Sequence, residues 1–246
     1  MTPLLLVAAG ACAAGFVQGL SGFAFGLTAL VFWTWVLPPE VAAPLVVSCS
    51  LLGQLLTIRT VRQGFDLRRA LPFILGGALG VPLGAWLLPN IPQDGFKAGL
   101  GAVLLIWCPI MLFARDLPHI ASGGRWADAA AGWLGGVMGG LGGISGPAPT
   151  LWCALRGWDK HTQRAVFQAF HTTMHVLTLT AYFAGGLLTA ETGRMFAVAA
   201  PAMLLPALLG ARLYHRVSDL GFRRFVLLLL LVSGAMLLVR AVPRLV

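Results

Sequence analysis

Charged side chains are scarce in this sequence: they make up 10% of its 246 residues, against about 25% in a typical soluble domain. The first of them along the chain is Glu40. The hydrophobic fraction is 58% and the mean hydropathy is +0.86, which excludes an ordinary domain folded in water. Apolar runs of about 20 residues recur beyond Glu40, so the sequence predicts an all-α integral membrane protein.

Paired cysteines are lacking, and so is a basic stretch at the amino terminus. The cysteines lie far apart inside apolar segments, so we expect buried thiols that form neither disulfides nor a zinc site. They are Cys12, Cys49, Cys108 and Cys153. Because no lysine or arginine precedes the first apolar run, and this run continues past any cleavage point, we expect it to be mature sequence and not a signal peptide.

Acidic residues are also few, which leaves a formal net charge of +9. This excess does not indicate a nucleic-acid partner, because the basic residues lie in short loops between apolar runs, where they orient a membrane protein. We therefore expect contact with the lipid bilayer and none with nucleic acid. The pattern fixes no oligomeric state.

Glycines recur at matching places in the two halves of the chain. A shift of 126 residues places the segment GAWLL at Gly84 on GARLY at Gly210. A shift of 120 residues superimposes two ordered sets, Gly15, Gly19, Gly22 and Gly26 on Gly135, Gly139, Gly142 and Gly146. This order predicts a duplication, with repeats over residues 1–115 and 125–246 that form one membrane domain.

Each repeat is expected to contain three spanning helices and one glycine-rich segment, about eight membrane segments in total. The six spans have lengths close to the roughly 20 residues that a bilayer core requires. They are 42–58, 70–88, 96–113, 163–184, 195–213 and 221–241. The segments 3–37 and 127–155 are too long for one untilted span, and glycines interrupt both.

The distribution of lysine and arginine favours glycine-rich segments that enter the membrane and return to the same side. If both segments cross, the basic residues divide into nine and eight. If both are re-entrant, one side keeps only Lys97, Arg194, Arg240 and Arg244. The other side then holds thirteen: Arg59, Arg62, Arg68, Arg69, Arg115, Arg125, Arg156, Lys160, Arg164, Arg212, Arg216, Arg223 and Arg224. This asymmetry is typical of membrane proteins.

Three crossings per repeat would invert the second repeat relative to the first. Inverted repeats with broken helices are typical of secondary transporters. An arrangement in which only one of the two segments is re-entrant stays open.

The stretch GGLGGISGPAP, residues 139–149, is interpreted as the tip of the second hairpin. Half-helices starting near Phe25 and Ile144 would point their amino termini into the membrane, where free N–H groups and the helix dipole bind anions. Pro147 suits the first turn of such a helix. The candidate binding residues at the two tips are Ser21, Gly22, Gly26, Gly142, Ser145 and Gly146. The alternative is that these glycines only let helices pack closely.

Polar side chains follow one face of the predicted helix 163–184. They are Gln168, His171, His175, Thr178 and Tyr182. A shorter stripe on the matching segment 42–58 consists of Ser50, Gln54 and Thr57. Polar residues at this depth face a bundle interior or water, so the two stripes and the two tips are expected to enclose one cavity. Gln18 precedes the first tip and is either a donor to a ligand or a contact between helices.

His171 and His175 are one helical turn apart, which is a spacing that suits a metal ion. No third ligand and no carboxylate is evident at this depth, so we predict no metal and no other cofactor. Hydrogen bonding to substrate or to neighbouring helices is the preferred role, and protonation during transport is an alternative.

The segments GFVQGLSGFAFG, GGVMGGLGGISGPAPTLWCALRG and QRAVFQAF resemble the TauE/SafE family of sulfite and organosulfonate exporters, over essentially the whole chain. The resemblance implies a multi-pass permease of the prokaryotic cytoplasmic membrane that carries a small, often sulfur-containing anion. The chain departs from the family at Ala24-Phe25-Gly26, where members often carry a run of glycines, and it lacks the proline common after that run. The pair His171 and His175 is not carried over from the family.

The sequence thus predicts a secondary transporter, not an enzyme, that exports sulfite or a related anion. A membrane potential of 100 mV, negative inside, drives an anion outward by about 2.3 kcal/mol per charge. No Asp or Glu lies at membrane depth to couple uptake to protons. The alternatives are an uptake permease for a small carboxylate or sulfur anion, a membrane-embedded enzyme that uses His171 and His175, and a structural assembly subunit.

Overall fold

The computed structural model describes residues 3–21, 24–57, 67–113, 120, 123–158, 160–213 and 219–244, and these residues form helices and no strand. The first five helices are α1 (Pro3–Ser21), α2 (Phe25–Trp33), α3 (Pro39–Thr57), α4 (Leu67–Leu87) and α5 (Gln93–Leu112). The next five are α6 (Gly124–Gly142), α7 (Pro147–Leu155), α8 (Lys160–Ala184), α9 (Ala190–Leu213) and α10 (Asp219–Ala241). Single 3₁₀ turns, Leu88–Asn90 and Val242–Arg244, follow α4 and α10. The all-α prediction is confirmed for these residues.

Five helices are long and apolar enough to cross a membrane, namely α1, α3, α4, α5 and α9. The protein is therefore a multi-pass membrane protein. All six predicted spans correspond to helices, each of which begins two to five residues before the predicted start. Helix α8 falls outside the five because its polar stripe lowers its hydropathy, and the described side chains of α10 form a shorter apolar helix, Val226–Ala241.

Helices α1 and α2 form a hairpin. The indole Nε1 of Trp33, the last residue of α2, donates a hydrogen bond to the carbonyl of Val7 at 3.1 Å. Gly10 leaves room for this ring, since a Cβ at this position would lie 2.6 Å from Trp33 Nε1. Because Trp33 at the end of α2 lies beside the first half of α1, the two helices run antiparallel.

Helices α6 and α7 form a second hairpin of the same kind. Trp152 on α7 donates its indole N–H to Asp128 Oδ1, near the start of α6, at 2.6 Å. The amide of Ile120, ahead of α6, donates to the carbonyl of Leu155 at 2.7 Å. The end of α7 thus returns to the level at which α6 begins. Helix α7 starts at Pro147, three residues after the predicted start, and the proline occupies its first turn as expected.

The glycine run before this hairpin tip is mostly helical. Helix α6 continues through Gly139 and Gly140 to Gly142, and the chain turns only at Gly143, where φ is +69°. The tip that the sequence predicted over residues 139–149 therefore begins only at Gly143. Other glycines of α6 face α4, because a residue without a side chain allows the two helix backbones to touch.

Close contact between α6 and α4 is built from glycine on both helices. An added Cβ would meet backbone atoms of the other helix at Gly132, Gly136 and Gly140 on α6, and at Gly76, Gly80 and Gly84 on α4. Helices α1 and α9 pack in the same way, with Gly15 and Gly19 against the backbone of Met203 and Ala207. Helix packing, the alternative interpretation of the glycines, accounts for these positions.

Candidate functional site

Buried polar side chains converge from α1, α3, α8 and the link before α7. We call this set the polar track: Gln18, Ser50, Gln54, Ser145, Gln168, His171 and His175. Each of them is at most 4% exposed. Such burial is costly unless the groups are hydrogen-bonded or reserved for a ligand. All seven are among the residues predicted for the binding site, and the structure brings them together.

The second hairpin joins the polar track through Ser145. The left-handed turn at Gly143 and the proline at the start of α7 confine the three residues between them to a short link. This geometry places Ser145 Oγ 2.8 Å from His171 Nδ1 on α8. Either group can donate in this hydrogen bond, depending on the tautomer of the imidazole. Hairpin tip and helix α8 are therefore tied together by a buried polar contact.

His171 and His175 present their rings in a stack. The two ring centroids lie 6.2 Å apart with planes inclined by 23°. Phe170 packs edge-on to His171 at 5.5 Å between centroids, so an apolar ring borders the imidazole. Among the described residues no three side chains of His, Cys, Asp or Glu lie close enough together to hold a metal ion.

Helices α1, α3 and α8 continue the track through their glutamines. Gln18 Nε2 donates to the carbonyl of Ser50 at 3.0 Å, and Gln168 Nε2 donates to the carbonyl of Gln54 at 3.5 Å. Gly53 makes room for the first contact, because a Cβ there would overlap the Gln18 amide. Gln18 therefore makes the helix contact that was one of its two predicted roles.

Several polar atoms of this region retain capacity to bind a ligand. Gln18 Oε1, Ser50 Oγ and Thr178 Oγ1 are buried and have no hydrogen-bond partner among the described residues. An unsatisfied buried group costs about 1–3 kcal/mol. Thr178 lies near the tip, since a Cβ added to Gly139 would be 3.2 Å from Ser145 Cβ and 3.9 Å from Thr178 Oγ1. The hydroxyls of Ser50 and Thr178 can donate to the oxygens of a small molecule, whereas Gln18 Oε1 can only accept.

The candidate glycines lie at the contact between the two hairpins and around it. A Cβ on Gly26 would lie 2.8 Å from the carbonyl oxygen of Gly143, so the tips touch. Gly142 faces the ring of Phe96 and the side chain of Leu30. Gly146 is the N-cap of α7 and accepts a hydrogen bond from Thr150 N at 3.0 Å. Gly22 lies outside the described residues, as does the side chain of Thr57.

Ser21 is placed away from the buried track. It is exposed at the end of α1, where its hydroxyl donates to the carbonyl of Val17 at 2.8 Å and accepts from Ala24 N at 3.2 Å. These bonds stabilise the turn between α1 and α2. Ser21 is thus exposed, whereas Ser145, its counterpart in the second hairpin, is buried.

The amino termini of the two half-helices differ in the N–H groups that they offer. Pro147 and Pro149 in the first turn of α7 carry no N–H, which leaves Ala148 as the donor among its first three residues. Helix α2 begins with Phe25, Gly26 and Leu27, and no side chain caps it. Anion binding by backbone groups is therefore better supplied by α2 than by α7.

Two aromatic residues fix the second hairpin, and the sequence analysis assigned this role to neither. Tyr182 donates its hydroxyl to the carbonyl of Gly140 at 2.6 Å, and Trp107 donates its indole N–H to the carbonyl of Pro147 at 3.1 Å. The position of Tyr182 on the polar stripe signalled an inward direction. Trp107 carried no such signal, because its partner lies 40 residues further along the chain.

Replacing Gly143 by alanine is expected to destabilise the tip. The left-handed backbone costs a residue with a Cβ about 1–2 kcal/mol, and the new Cβ would also lie 2.7 Å from Val46 Cγ1. Gly124→Ala is the matched control, since its φ is +50° and nothing lies within 4 Å of an added Cβ. Thermal unfolding of the purified proteins in detergent should show the larger loss for Gly143→Ala. Equal losses would mean that the contact of Gly143 with α3 is not tight.

Comparison with known protein families gives one match. The sequence model of the family described as sulfite exporter TauE/SafE covers residues 6–237. Searches of curated proteins and of solved structures return no match. Because the family match spans nearly the whole chain, the protein belongs to the TauE/SafE family, whose members are membrane transporters. The resemblance drawn from the glycine-rich motifs is thereby confirmed.

Proposed function

We propose that this protein exports a small sulfur-containing anion, sulfite or an organosulfonate, across the cytoplasmic membrane of a prokaryote. The observation that supports this most is the polar track, seven buried side chains of which none is a carboxylate, lysine or arginine. Neutral donors stabilise an anion in a dry site without forming an ion pair. Transport needs binding strong enough to admit the anion and weak enough to release it.

The helix pairing supports two repeats arranged around the track. Helix α1 packs along α9 as α6 packs along α4, and α5 packs on α10. Exchanging α1–α5 with α6–α10 leaves this set of pairs unchanged, as a pseudo-two-fold axis requires. In our proposal residues 1–115 and 125–246 are inverted repeats, and the track lies between α3 and α8 where the two repeats meet.

The proposed anion lies beside the second hairpin tip. The hydroxyls of Ser145 and Thr178 donate to its oxygens, and His171 orients Ser145. The side chains of the track are at most 4% exposed. An anion therefore reaches them only when the hairpins separate from α3 and α8, first on one side of the membrane and then on the other.

Export is the proposed direction because the membrane potential suffices to drive it. A potential of 100 mV, negative inside, supplies about 2.3 kcal/mol for each negative charge that leaves. The named residues of the track include no carboxylate to bring in a coupled proton. A uniport driven by the potential is the simplest mechanism that fits these residues.

Efflux from proteoliposomes tests the proposal. Vesicles that contain the purified protein are loaded with labelled sulfite, and a potassium gradient with valinomycin sets the potential. We expect efflux that accelerates when the interior is made negative and that external sulfoacetate inhibits more strongly than acetate. Absence of protein-dependent flux for sulfite and sulfoacetate in both directions contradicts the proposal. Flux that follows a proton gradient and ignores the potential favours the uptake alternative.

A further inference from the structure

A cleft separate from the polar track lies at the end of the molecule where α4 and α6 begin and α7 ends. Its volume is about 560 Å³. It shares no residue with the polar track, and its lining consists of Arg68, Arg69, Pro72, Arg125, Asp128, Arg156 and Trp158. Four guanidinium groups thus come from three helices to one cavity, although they are far apart in sequence.

The one carboxylate among the described residues of this lining is already engaged. Asp128 is 5% exposed, accepts the indole N–H of Trp152 at 2.6 Å and lies 3.9 Å from Arg156 Nε. Its charge is therefore matched by Arg156. Arg68 and Arg125 add further positive charge, and the described residues of the lining include no second carboxylate to match it.

The positions of these arginines on their helices add to the positive potential. Arg68 and Arg69 lie in the first turn of α4, and Arg125 lies in the first turn of α6; neither turn contains an acidic residue. The positive end of a helix dipole disfavours cations and favours anions. Orientation in the membrane requires basic residues on this side, but it does not require them to meet at two helix amino termini.

Trp158 holds two of the guanidinium groups in place. Arg69 Cζ lies 5.8 Å and Arg156 Cζ 5.7 Å from the centroid of its ring. Arg69 also donates to Thr162 Oγ1 at 3.3 Å. Arginines fixed in this way lose little side-chain freedom when they bind the oxygens of a phosphate in pairs.

An apolar stripe on α4 leads away from the cleft. Leu67, Leu71, Leu75 and Leu79 are spaced one helical turn apart and are between 52% and 76% exposed. In a helix long enough to span the membrane, such a face lies against lipid chains. A phospholipid with its headgroup among the arginines would lay an acyl chain along these leucines.

We propose that the arginine cleft binds the phosphate of an anionic phospholipid. Lipid phosphate and free phosphate share the chemistry that the arginines recognise, and the leucine stripe favours the lipid. The site is independent of the transport pathway, since a lipid bound there contacts none of the track residues.

Lipid binding to the purified, delipidated full-length protein tests this. Dioctanoyl phosphatidylglycerol, dioctanoyl phosphatidylcholine and inorganic phosphate are titrated separately and followed by native mass spectrometry. The variants are the double substitution R68Q/R125Q, the charge-preserving R68K/R125K, and R194Q as a matched exposed arginine outside the cleft. Thermal unfolding verifies that all three fold.

The expected result is that phosphatidylglycerol binds at least about tenfold more weakly to R68Q/R125Q than to wild type or R194Q. The affinity of R68K/R125K for phosphatidylglycerol should lie between those of wild type and R68Q/R125Q, because lysine keeps the charge and loses the paired hydrogen bonds. Binding of inorganic phosphate with the same dependence on arginine, and none of lipid, supports the phosphate site and identifies a soluble source. Equal affinity of wild type and R68Q/R125Q overturns the proposal, as does displacement of the lipid by sulfite.

Discussion

Gly136→Ala is expected to lower the free energy of unfolding by at least about 3 kcal/mol, the upper part of the range for overpacked interiors. A Cβ at this position would lie 2.7 Å from Gly77 Cα and 2.8 Å from Gly77 C. These are backbone atoms of α4, so no rotation of a side chain relieves the overlap. The two helices would have to move apart along their whole contact.

Gly99→Ala is the matched control for this prediction. Gly99 is also inside a helix, α5, but nothing lies within 4 Å of an added Cβ. Alanine there should be neutral or stabilising, by up to about 1 kcal/mol from helix propensity. Thermal unfolding in detergent measures both variants. Similar stability of Gly136→Ala and Gly99→Ala would show that α4 and α6 are not in backbone contact.

The expected loss of stability in Gly136→Ala is large because these helices are surrounded by lipid. Lipid tails are as apolar as leucine, so helices in a membrane associate through close packing and hydrogen bonds, with no hydrophobic gain. Separating α4 from α6 by the width of a methyl group removes that packing over Gly132, Gly136 and Gly140 together. A soluble helix pair would retain part of its stability from burial of apolar surface.

Ser145→Ala is expected to reduce sulfite efflux by about 10- to 150-fold, the equivalent of one hydrogen bond to a charged group at about 1.5–3 kcal/mol. In the proposed mechanism the hydroxyl donates to the anion while His171 Nδ1, 2.8 Å away, orients it. Alanine removes this donor and leaves the imidazole in place. Efflux from proteoliposomes, normalised to the amount of reconstituted protein, measures the change.

Ser233→Ala serves as the control for the loss of a hydroxyl. Ser233 lies on α10 and donates only locally in the described contacts, to the carbonyl of Leu229 at 2.8 Å. The Ser233→Ala variant should transport sulfite at the wild-type rate. His171→Asn keeps a polar atom near the place of Nδ1, so its effect should combine with that of Ser145→Ala in a non-additive way. Wild-type efflux by Ser145→Ala contradicts the proposed role of the second hairpin.

Local patterns in the sequence determined the helices and the class of protein. Hydropathy and glycine interruptions placed six spans with starts in error by two to five residues. The spacing of Gln168, His171 and His175 predicted a buried polar face, and the glycine motifs predicted the family. These features depend on residues close together in the chain, whose preferences act before any distant contact forms.

Only the tertiary structure decided which faces meet. Gln168 contacts Gln54 across 114 positions, and Ser145 contacts His171 across 26. Gly132, Gly136 and Gly140 of α6 contact the backbone of α4, while Ser21 bonds within its own turn. Four arginines of different helices share one cleft. Such contacts depend on how rigid helices pack against one another, and hydropathy and periodicity along one chain do not contain that information.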